Sequence, residues 1–241
     1  MHDVIDLHTH TIASGHAYNT VYEMAEAASR KGVELLGISD HGPAMEGAAS
    51  RHYFRACRHV PRTIHGVPLL FGIEFNIVDH EGRVDLEADF AAPLEYAIAS
   101  LHTECIRPGS LMENTEAFLG AMKHPKVLIL GHPDDGTFPV DFETIAKEAA
   151  RQHVMIELNE ASMSPGSYRV NAAKNARRLL ITCKKFDTRI ILSSDAHSEA
   201  EILQHGYGWK LIEEVNYPKE LIANVSAERT RAWWQERVRG S

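Results

Sequence analysis

Two histidines at the end of the first apolar run are the residues that most directly suggest chemistry. His8 and His10 stand two positions apart in Asp6-Leu7-His8-Thr9-His10. Because successive side chains alternate faces in a strand, both imidazoles should project from the same side. Neutral imidazoles bind zinc and similar transition metals, and two that converge supply half of a site. Such a pair is also common without a metal, so its meaning depends on the rest of the chain.

Further histidines and carboxylates follow the other predicted strands, each at the end of an apolar run or in the loop after it. The chain holds 15 histidines. The set that shares this position is His8, His10, His16, His41, Glu74, His102, His132, Asp195 and His197. Burying so many polar groups together without a metal would be costly, so the set predicts a metal site. The remaining histidines are expected to be solvated or locally hydrogen-bonded. Among them, His205 is the first to reconsider as a member of the site.

The elements that must position these residues alternate between short apolar runs and longer amphipathic segments. Strands are predicted over residues 2–8, 34–39, 69–77, 96–101, 127–130, 154–158 and 189–193. Helices are predicted over residues 18–31, 51–60, 112–122, 142–152, 171–184, 199–215 and 219–238. A hairpin turn is predicted at residues 79–83, with Gly82 at a positive φ.

Strands and helices that alternate at this spacing indicate an α/β fold with a parallel sheet and right-handed crossovers. Seven strands with polar residues at one end indicate a closed or nearly closed, TIM-like (β/α) barrel, whose C-terminal mouth carries the chemistry.

Length and composition indicate one domain over residues 1–241, without a linker or a break in composition. Three cysteines, Cys57, Cys105 and Cys183, lack metal-type spacing and suit a reducing compartment. The first strand begins almost at Met1, and nothing is long enough to cross a membrane, so a cytoplasmic protein is expected. The formal charge of −8, without a basic stripe, argues against a nucleic-acid binder.

The motifs around these residues resemble those of a known family. In chain order they are Asp6-Leu7-His8-Thr9-His10, His16, Ser39-Asp40-His41, Gly72-Ile73-Glu74, Ser100-Leu101-His102, Gly131-His132-Pro133 and Ser194-Asp195-Ala196-His197. This series resembles the polymerase and histidinol phosphatase (PHP) superfamily, and within it the small stand-alone YcdX-like phosphatases. The resemblance implies a distorted (β/α)7 barrel, a site for three divalent ions, and hydrolysis of phosphate esters. Zinc is the usual metal, with manganese or iron in other members.

The resemblance also implies how the ligands divide among the three ions. The groups are His8, His10, Glu74 and Asp195; Glu74, His102 and His132; and His16, His41 and His197, with Glu74 as the bridge. Three divalent ions would make the pocket positive and attract a phosphate dianion. A hydroxide that bridges two ions, formed from water whose pKa is lowered toward ~7, is expected to attack phosphorus. Glu74, Asp195 and His197 are the expected catalytic residues.

Other functions share parts of this pattern. A PHP-type nuclease or proofreading phosphodiesterase has the same ligands but should carry a basic groove or further domains. A metal-dependent amidohydrolase also begins with His-x-His, but typically places a lysine where this chain has His102. A non-catalytic metal scaffold should have lost some ligands. Small-molecule phosphate monoesters are therefore the expected substrates.

Residues outside the ligand set are harder to assign. Arg107, after the fourth predicted strand, and Arg169, after the sixth, are candidates for contact with the substrate phosphate. Asp40 could orient an imidazole or cap a helix. Asp134 and Asp135 could aid protonation of the leaving group, although a solvated turn is the expected setting. The Trp233-Trp234 pair leaves a homo-oligomer contact open, although packing onto the barrel explains it more simply.

Overall fold

The computed structural model of the chain describes residues 3–240 and has a mixed α/β fold. Its strands are β1 (Ile5–Asp6), β2 (Leu35–Ile38), β3 (Thr63–Ile64), β4 (Val67–Phe71), β5 (Glu74–Asn76), β6 (Ala97–Ser100), β7 (Val127–Leu130), β8 (Met155–Asn159) and β9 (Ile190–Ser193). Its α-helices are α1 (Val21–Arg30), α2 (Arg51–Ala56), α3 (Ala88–Ala91), α4 (Leu111–Ala121), α5 (Phe142–Gln152), α6 (Glu160–Met163), α7 (Ala172–Lys185), α8 (Gly206–Val215) and α9 (Ala227–Gly240). None of these helices is both long and apolar enough to cross a membrane.

The strands within residues 3–240 form two sheets. One has the order β1-β2-β4-β3, the other β5-β6-β7-β8-β9, and every strand pair is parallel except the β3–β4 hairpin. Single bridges connect the sheets, between Thr9 and Ala196 and between His41 and Glu74. The parallel α/β fold predicted from the sequence is confirmed, whereas the described chain forms no continuous closed barrel.

The third predicted strand, residues 69–77, is divided at Gly72. The amide of Gly72 still donates to Ile38 O in the first sheet (2.8 Å), but Ile73 O accepts from Ile98 N in the second (2.9 Å). A Cβ on Gly72 would lie 2.5 Å from the ring of Tyr96. The close approach of this buried ring requires glycine where the chain leaves one sheet for the other, and Glu74 then begins β5.

The predicted helix over residues 199–215 is interrupted. A 3₁₀ turn, Glu199–Glu201, is followed by an irregular segment before α8 begins at Gly206. The Lys31 ammonium donates to Ala200 O and Ile202 O, both at 2.7 Å, and Leu203 has a φ of 55°. Because these carbonyls bind a distant lysine, they do not continue a helix.

The last predicted helix, residues 219–238, is also shortened, since two 3₁₀ turns precede α9. The buried Asn224 accounts for this. Its Oδ1 accepts from Leu192 N (2.8 Å), and its Nδ2 donates to Leu192 O (2.9 Å) and Ile5 O (3.0 Å). The amide therefore joins β9 to β1, and Trp233 on α9 packs into the adjacent apolar core. The first predicted strand shortens to β1, and its residue His2 lies outside the described residues.

A buried ionic network connects β1 to the segment before α8. His205 Nδ1 donates to Asp3 Oδ2 (2.8 Å), and its Nε2 lies 3.7 Å from Asp6 Oδ2. Asp6 also accepts from Ser194 N and Leu203 N. Burial alone would lower the pKa of His205, but the hydrogen bond to Asp3 and the nearby negative charge of Asp6 raise it to about 10. His205 is thus a charged structural residue.

We expect His205→Gln to destabilise the protein in a pH-dependent way. The pKa of His205 rises on folding from 6.5 to about 10, so its stabilising contribution is complete below pH 6.5 and is lost as the pH rises through 10. Urea unfolding should give a larger loss of unfolding free energy at about pH 6 than at about pH 10. The exposed His59→Gln is the control, and an equal loss for His205→Gln at both pH values would contradict the assignment.

Candidate metal centre

The nine predicted ligands lie together where the two sheets are bridged. They follow β1 (His8, His10, His16), β2 (His41), β6 (His102), β7 (His132) and β9 (Asp195, His197), or begin β5 (Glu74). The His10 ring centroid lies 4.3 Å from that of His197 and 4.4 Å from that of His41, and those of His16 and His197 are 4.8 Å apart. Residues from both ends of the chain thus form one cluster.

The carboxylate of Glu74 lies at the centre of this cluster. Its Oε2 is 2.7 Å from His41 Nδ1, 3.3 Å from His8 Nε2 and 3.5 Å from His10 Nε2. One oxygen of Glu74 therefore faces imidazoles that follow β1 and β2.

The other oxygen of Glu74 faces imidazoles from the second sheet. Its Oε1 is 3.1 Å from His132 Nε2 and 3.3 Å from His102 Nε2. Burial would raise the pKa of Glu74, but His8, His41 and His102 outweigh it and hold this pKa well below its usual range. Glu74 is therefore a carboxylate with imidazoles on both sides.

Asp195 occupies a second negative position beside Glu74. Its Oδ1 is 3.2 Å from His10 Nε2 and 3.4 Å from His8 Nε2, and its Oδ2 accepts from Arg169 Nη2 (3.0 Å). Burial would raise the pKa of Asp195, but His8 and Arg169 lower it well below its usual range. Asp195 and His132 have left-handed φ values, 57° and 30°, a backbone strain often found at functional sites.

Outer hydrogen bonds fix the orientation of His8 and His102. His8 Nδ1 donates to Glu157 Oε1 (2.7 Å), and His102 Nδ1 donates to Asn76 Oδ1 (2.7 Å). The Asn76 amide nitrogen donates to Asp85 Oδ2 (2.6 Å), which leaves the amide oxygen as the acceptor for His102. Since both Nδ1 atoms carry the proton, the Nε2 atoms can offer their lone pairs to a metal.

His10 is oriented in the same way through a hydroxyl group. Its Nδ1 contacts Ser14 Oγ (2.9 Å), which donates to Asp40 Oδ1 (2.7 Å), so the hydroxyl accepts from the imidazole. Tyr53 also donates to Asp40 (2.7 Å). The carboxylate beside His41 in sequence thus orients His10. Burial, together with His41 and His197, lowers the pKa of His10 well below its usual value, which favours the neutral form that binds metals.

Several buried atoms that face the cluster have no hydrogen-bond partner among residues 3–240. They are His8 Nε2, His10 Nε2, His41 Nδ1 and Glu74 Oε2. The 2.7 Å contact between His41 Nδ1 and Glu74 Oε2 does not have the direction of a hydrogen bond. An unpaired buried polar atom costs about 1–3 kcal/mol, and a cation that accepts these lone pairs would remove the cost. The pKa of His8 is consistent with this: burial would lower it, but Glu157 and Glu74 raise it well above its usual value. The carboxylates therefore favour a positive charge here, and the residues fit a metal.

Three groups have ligand atoms that all lie within 4.8 Å of one another. They are His8, His10 and Glu74; His10, His41 and His197; and His41, Glu74 and His102. These groups share residues, so the described part of the chain can hold ions close to one another. They overlap only in part with the division that the resemblance implies, since His10 and His41 each belong to two groups.

A cavity of about 520 Å³ opens beside the cluster. His16, His41, His102, Asp195 and His197 line this cavity, together with the residues from Ser164 to Arg169. Of the two predicted substrate arginines, Arg169 is buried in the cavity wall, where Nη1 donates to Asn159 Oδ1 (3.0 Å) and Ser162 Oγ (3.1 Å). Arg107 is exposed and is not among the residues that line the cavity in the described chain.

Two important carboxylates escaped the sequence patterns. Glu157 is buried within β8, accepts from His132 N (2.7 Å), and contacts His8 as described above. A charged residue inside the apolar run Met155–Asn159 was the available signal. Asp134, predicted to be solvated, is buried, and burial raises its pKa to about 7. The prediction of a solvated turn was wrong, because Asp134 is covered by the fold and accepts a hydrogen bond from Ser162 Oγ (3.2 Å).

We expect Glu157→Gln to weaken zinc binding by ~10- to 100-fold, because loss of the carboxylate that holds His8 Nδ1–H makes His8 a poorer ligand. Competition with a chromophoric zinc chelator measures the dissociation constant. Glu26→Gln, an exposed change on α1, is the matched control. Equal zinc affinity in the wild type and in Glu157→Gln would contradict this role.

The chain is similar to known proteins over most of its length. Residues 6–226 match the model of the PHP domain family. A "Probable phosphatase" of Acetivibrio thermocellus is 41% identical over 226 residues, which cover 94% of this chain and 92% of that protein. Another from Caldicellulosiruptor saccharolyticus is 42% identical over 224 residues, 93% of this chain and 92% of that protein.

A solved structure shows a similar fold. Histidinol phosphate phosphatase from Lactococcus lactis, in complex with Zn, L-histidinol and phosphate, aligns with a TM-score of 0.58 at 15% identity, covering 90% of this chain and 95% of that one. At this identity the likeness concerns the fold alone. Because the family match extends over most of the sequence, the chain belongs to the PHP domain family.

Proposed function

We propose that this protein is a metal-dependent phosphatase that hydrolyses small-molecule phosphate monoesters at a site for three divalent ions, most simply zinc. One observation carries the proposal: unpaired lone-pair atoms of His8, His10, His41 and Glu74 converge in a buried cluster. The "Probable phosphatase" relatives and the zinc and phosphate in the Lactococcus lactis structure support the same chemistry.

The two sheets are proposed to be the halves of a distorted (β/α)7 barrel. If β4 and β5 are counted as one strand divided at Gly72, and the short hairpin strand β3 is set aside, seven parallel strands remain. The bridges Thr9–Ala196 and His41–Glu74 lie where the halves meet. The C-terminal strand ends then form one mouth, as in barrel enzymes.

The nine strand-end residues are proposed as the metal ligands, with Glu74 as the bridge. Its two oxygens face different imidazoles, as a bridging carboxylate requires. Bound divalent ions would lower the pKa of a water molecule toward ~7 and offset the charge that develops on the phosphoryl group. His197 contacts His10 in the cluster and also lines the cavity, so a substrate in the cavity would lie beside the cluster.

The chain's own residues account for orientation and charge. Glu157, Asn76 and Ser14 hold the imidazole Nδ1 protons outward, so the inner nitrogens need no rearrangement to bind metal. The Arg169 guanidinium provides a fixed positive charge in the cavity wall, beside Asp195, for phosphate oxygens. The exposed Glu104 also lines the cavity, which disfavours a polyanion and favours a monoester over nucleic acid.

We expect Glu74→Ala to lower kcat/KM for p-nitrophenyl phosphate by at least ~100-fold, because it removes the carboxylate that would bridge the metal ions. Chelation should abolish wild-type activity, and zinc should restore it. Glu26→Gln serves as the control. Unchanged turnover in Glu74→Ala, or higher wild-type activity on single-stranded DNA or an N-acyl substrate, would contradict the proposal.

The two predicted arginines can be compared directly. We expect Arg169→Met to lower kcat/KM by ~10- to 100-fold and to weaken inhibition by inorganic phosphate, since a charged hydrogen-bond donor is lost from the cavity wall. Arg107→Met, at an exposed position, should change either value by less than ~3-fold. The opposite ranking would assign the phosphate contact to Arg107.

A further inference from the structure

Resting on the proposed phosphatase function, we propose that residues 164–169 form a subsite for the leaving group, in which Tyr168 stacks on an aromatic ring of the substrate. The favoured substrates are then phosphate monoesters whose leaving group carries an aromatic ring near the ester oxygen and lacks a second phosphate.

The segment that carries Tyr168 is held in place on both sides of this residue. Before it, Ser167 N donates to Ser164 O (3.1 Å) and closes a turn. After it, the buried Arg169 side chain donates to Asn159 Oδ1 (3.0 Å) and to Asp195 Oδ2. An anchored segment presents an aromatic ring at little entropic cost, which favours binding.

The side chain of Tyr168 is 82% exposed, yet it lines the cavity beside the metal centre. Its ring centroid lies 5.4 Å from the guanidinium carbon of Arg169, which pairs with Asp195. This chain of contacts places the ring at the edge of the same site. An exposed ring in that position has a face available for a ligand, and aromatic pairs prefer stacked or edge-to-face contact.

The shape and charge of the cavity agree with an aromatic leaving group. Its volume of about 520 Å³ exceeds what phosphate alone needs and is typical of pockets for small organic ligands. Met45 adds a flexible apolar surface to the lining. The exposed Glu104 lines it as well, so a second phosphate on the leaving group would be repelled.

The test compares kcat/KM for 2-phenylethyl phosphate and n-propyl phosphate in the zinc-loaded enzyme. Both are esters of primary alcohols, so their intrinsic reactivity is similar and the ratio reports contact with the ring. We expect the wild type to prefer the phenyl ester by ~10-fold and Tyr168→Ala to reduce this preference to ~2-fold. Tyr168→Phe keeps the ring and should keep the preference. Tyr22→Ala, a change of another exposed tyrosine on α1, is the control.

Calorimetric binding of benzylphosphonate and methylphosphonate gives a second readout that does not depend on turnover. The same loss of preference in Tyr168→Ala supports the subsite. An unchanged preference in Tyr168→Ala, with an active wild type, overturns the subsite and leaves the phosphatase function in place. If the wild type hydrolyses neither ester, the ratio of phosphonate affinities alone decides whether the subsite exists. The proposed function fails only if p-nitrophenyl phosphate is not hydrolysed either.

Discussion

The rest of the structure depends on one buried carboxylate, Glu74, which is surrounded by imidazoles from both sheets. A carboxylate and several imidazoles can be buried together only if their polar atoms are paired, because desolvation is otherwise too costly. Here the outward Nδ1 atoms of His8 and His10 are paired within the protein, while the inward Nε2 atoms of the same rings remain unpaired. A site able to hold a metal shows this difference between outer and inner atoms, whereas a fully paired buried polar network does not.

The residues behind the ligands also stabilise unusual backbone conformations. His132 has a φ of 30°, and its amide donates to Glu157, the carboxylate that also holds His8. Asp195 has a φ of 57°, and its side chain is held by Arg169 and Asn159. Left-handed backbone in such residues persists only where neighbours fix it. Glu157 and Arg169 therefore support both the ligand orientation and the backbone that presents the ligands.

The sequence predicts the cluster well because strand periodicity is a local property. His8 and His10 share a face for that reason alone, and the other ligands follow strands that apolar runs reveal. The strand and the helix that were predicted too long are interrupted by residues distant in sequence. The ring of Tyr96 lies where the strand divides at Gly72, and the Lys31 ammonium binds the carbonyl of Ala200 where the helix is interrupted.

Residues that act behind the ligands are less visible in a single sequence. Glu157 lies in an otherwise apolar strand, and only the fold shows that it contacts His8. His205 is a similar case, since its partners Asp3 and Asp6 lie at the other end of the chain. The roles of the nine ligands, of Arg107 and of Arg169 stay predictions until metal and substrate binding are measured.

The amide of Asn224 has a consequence for the order of folding. It binds the backbone of Ile5 and of Leu192, so β1 and β9 are joined by a residue that lies 219 positions after Ile5. During synthesis, His8 leaves the ribosome long before Asn224 does, and contacts over so great a separation carry a high loop-closure entropy. The contacts that join β1 to β9 through Asn224, beside the imidazole cluster, must therefore wait until the chain has been synthesised past this residue.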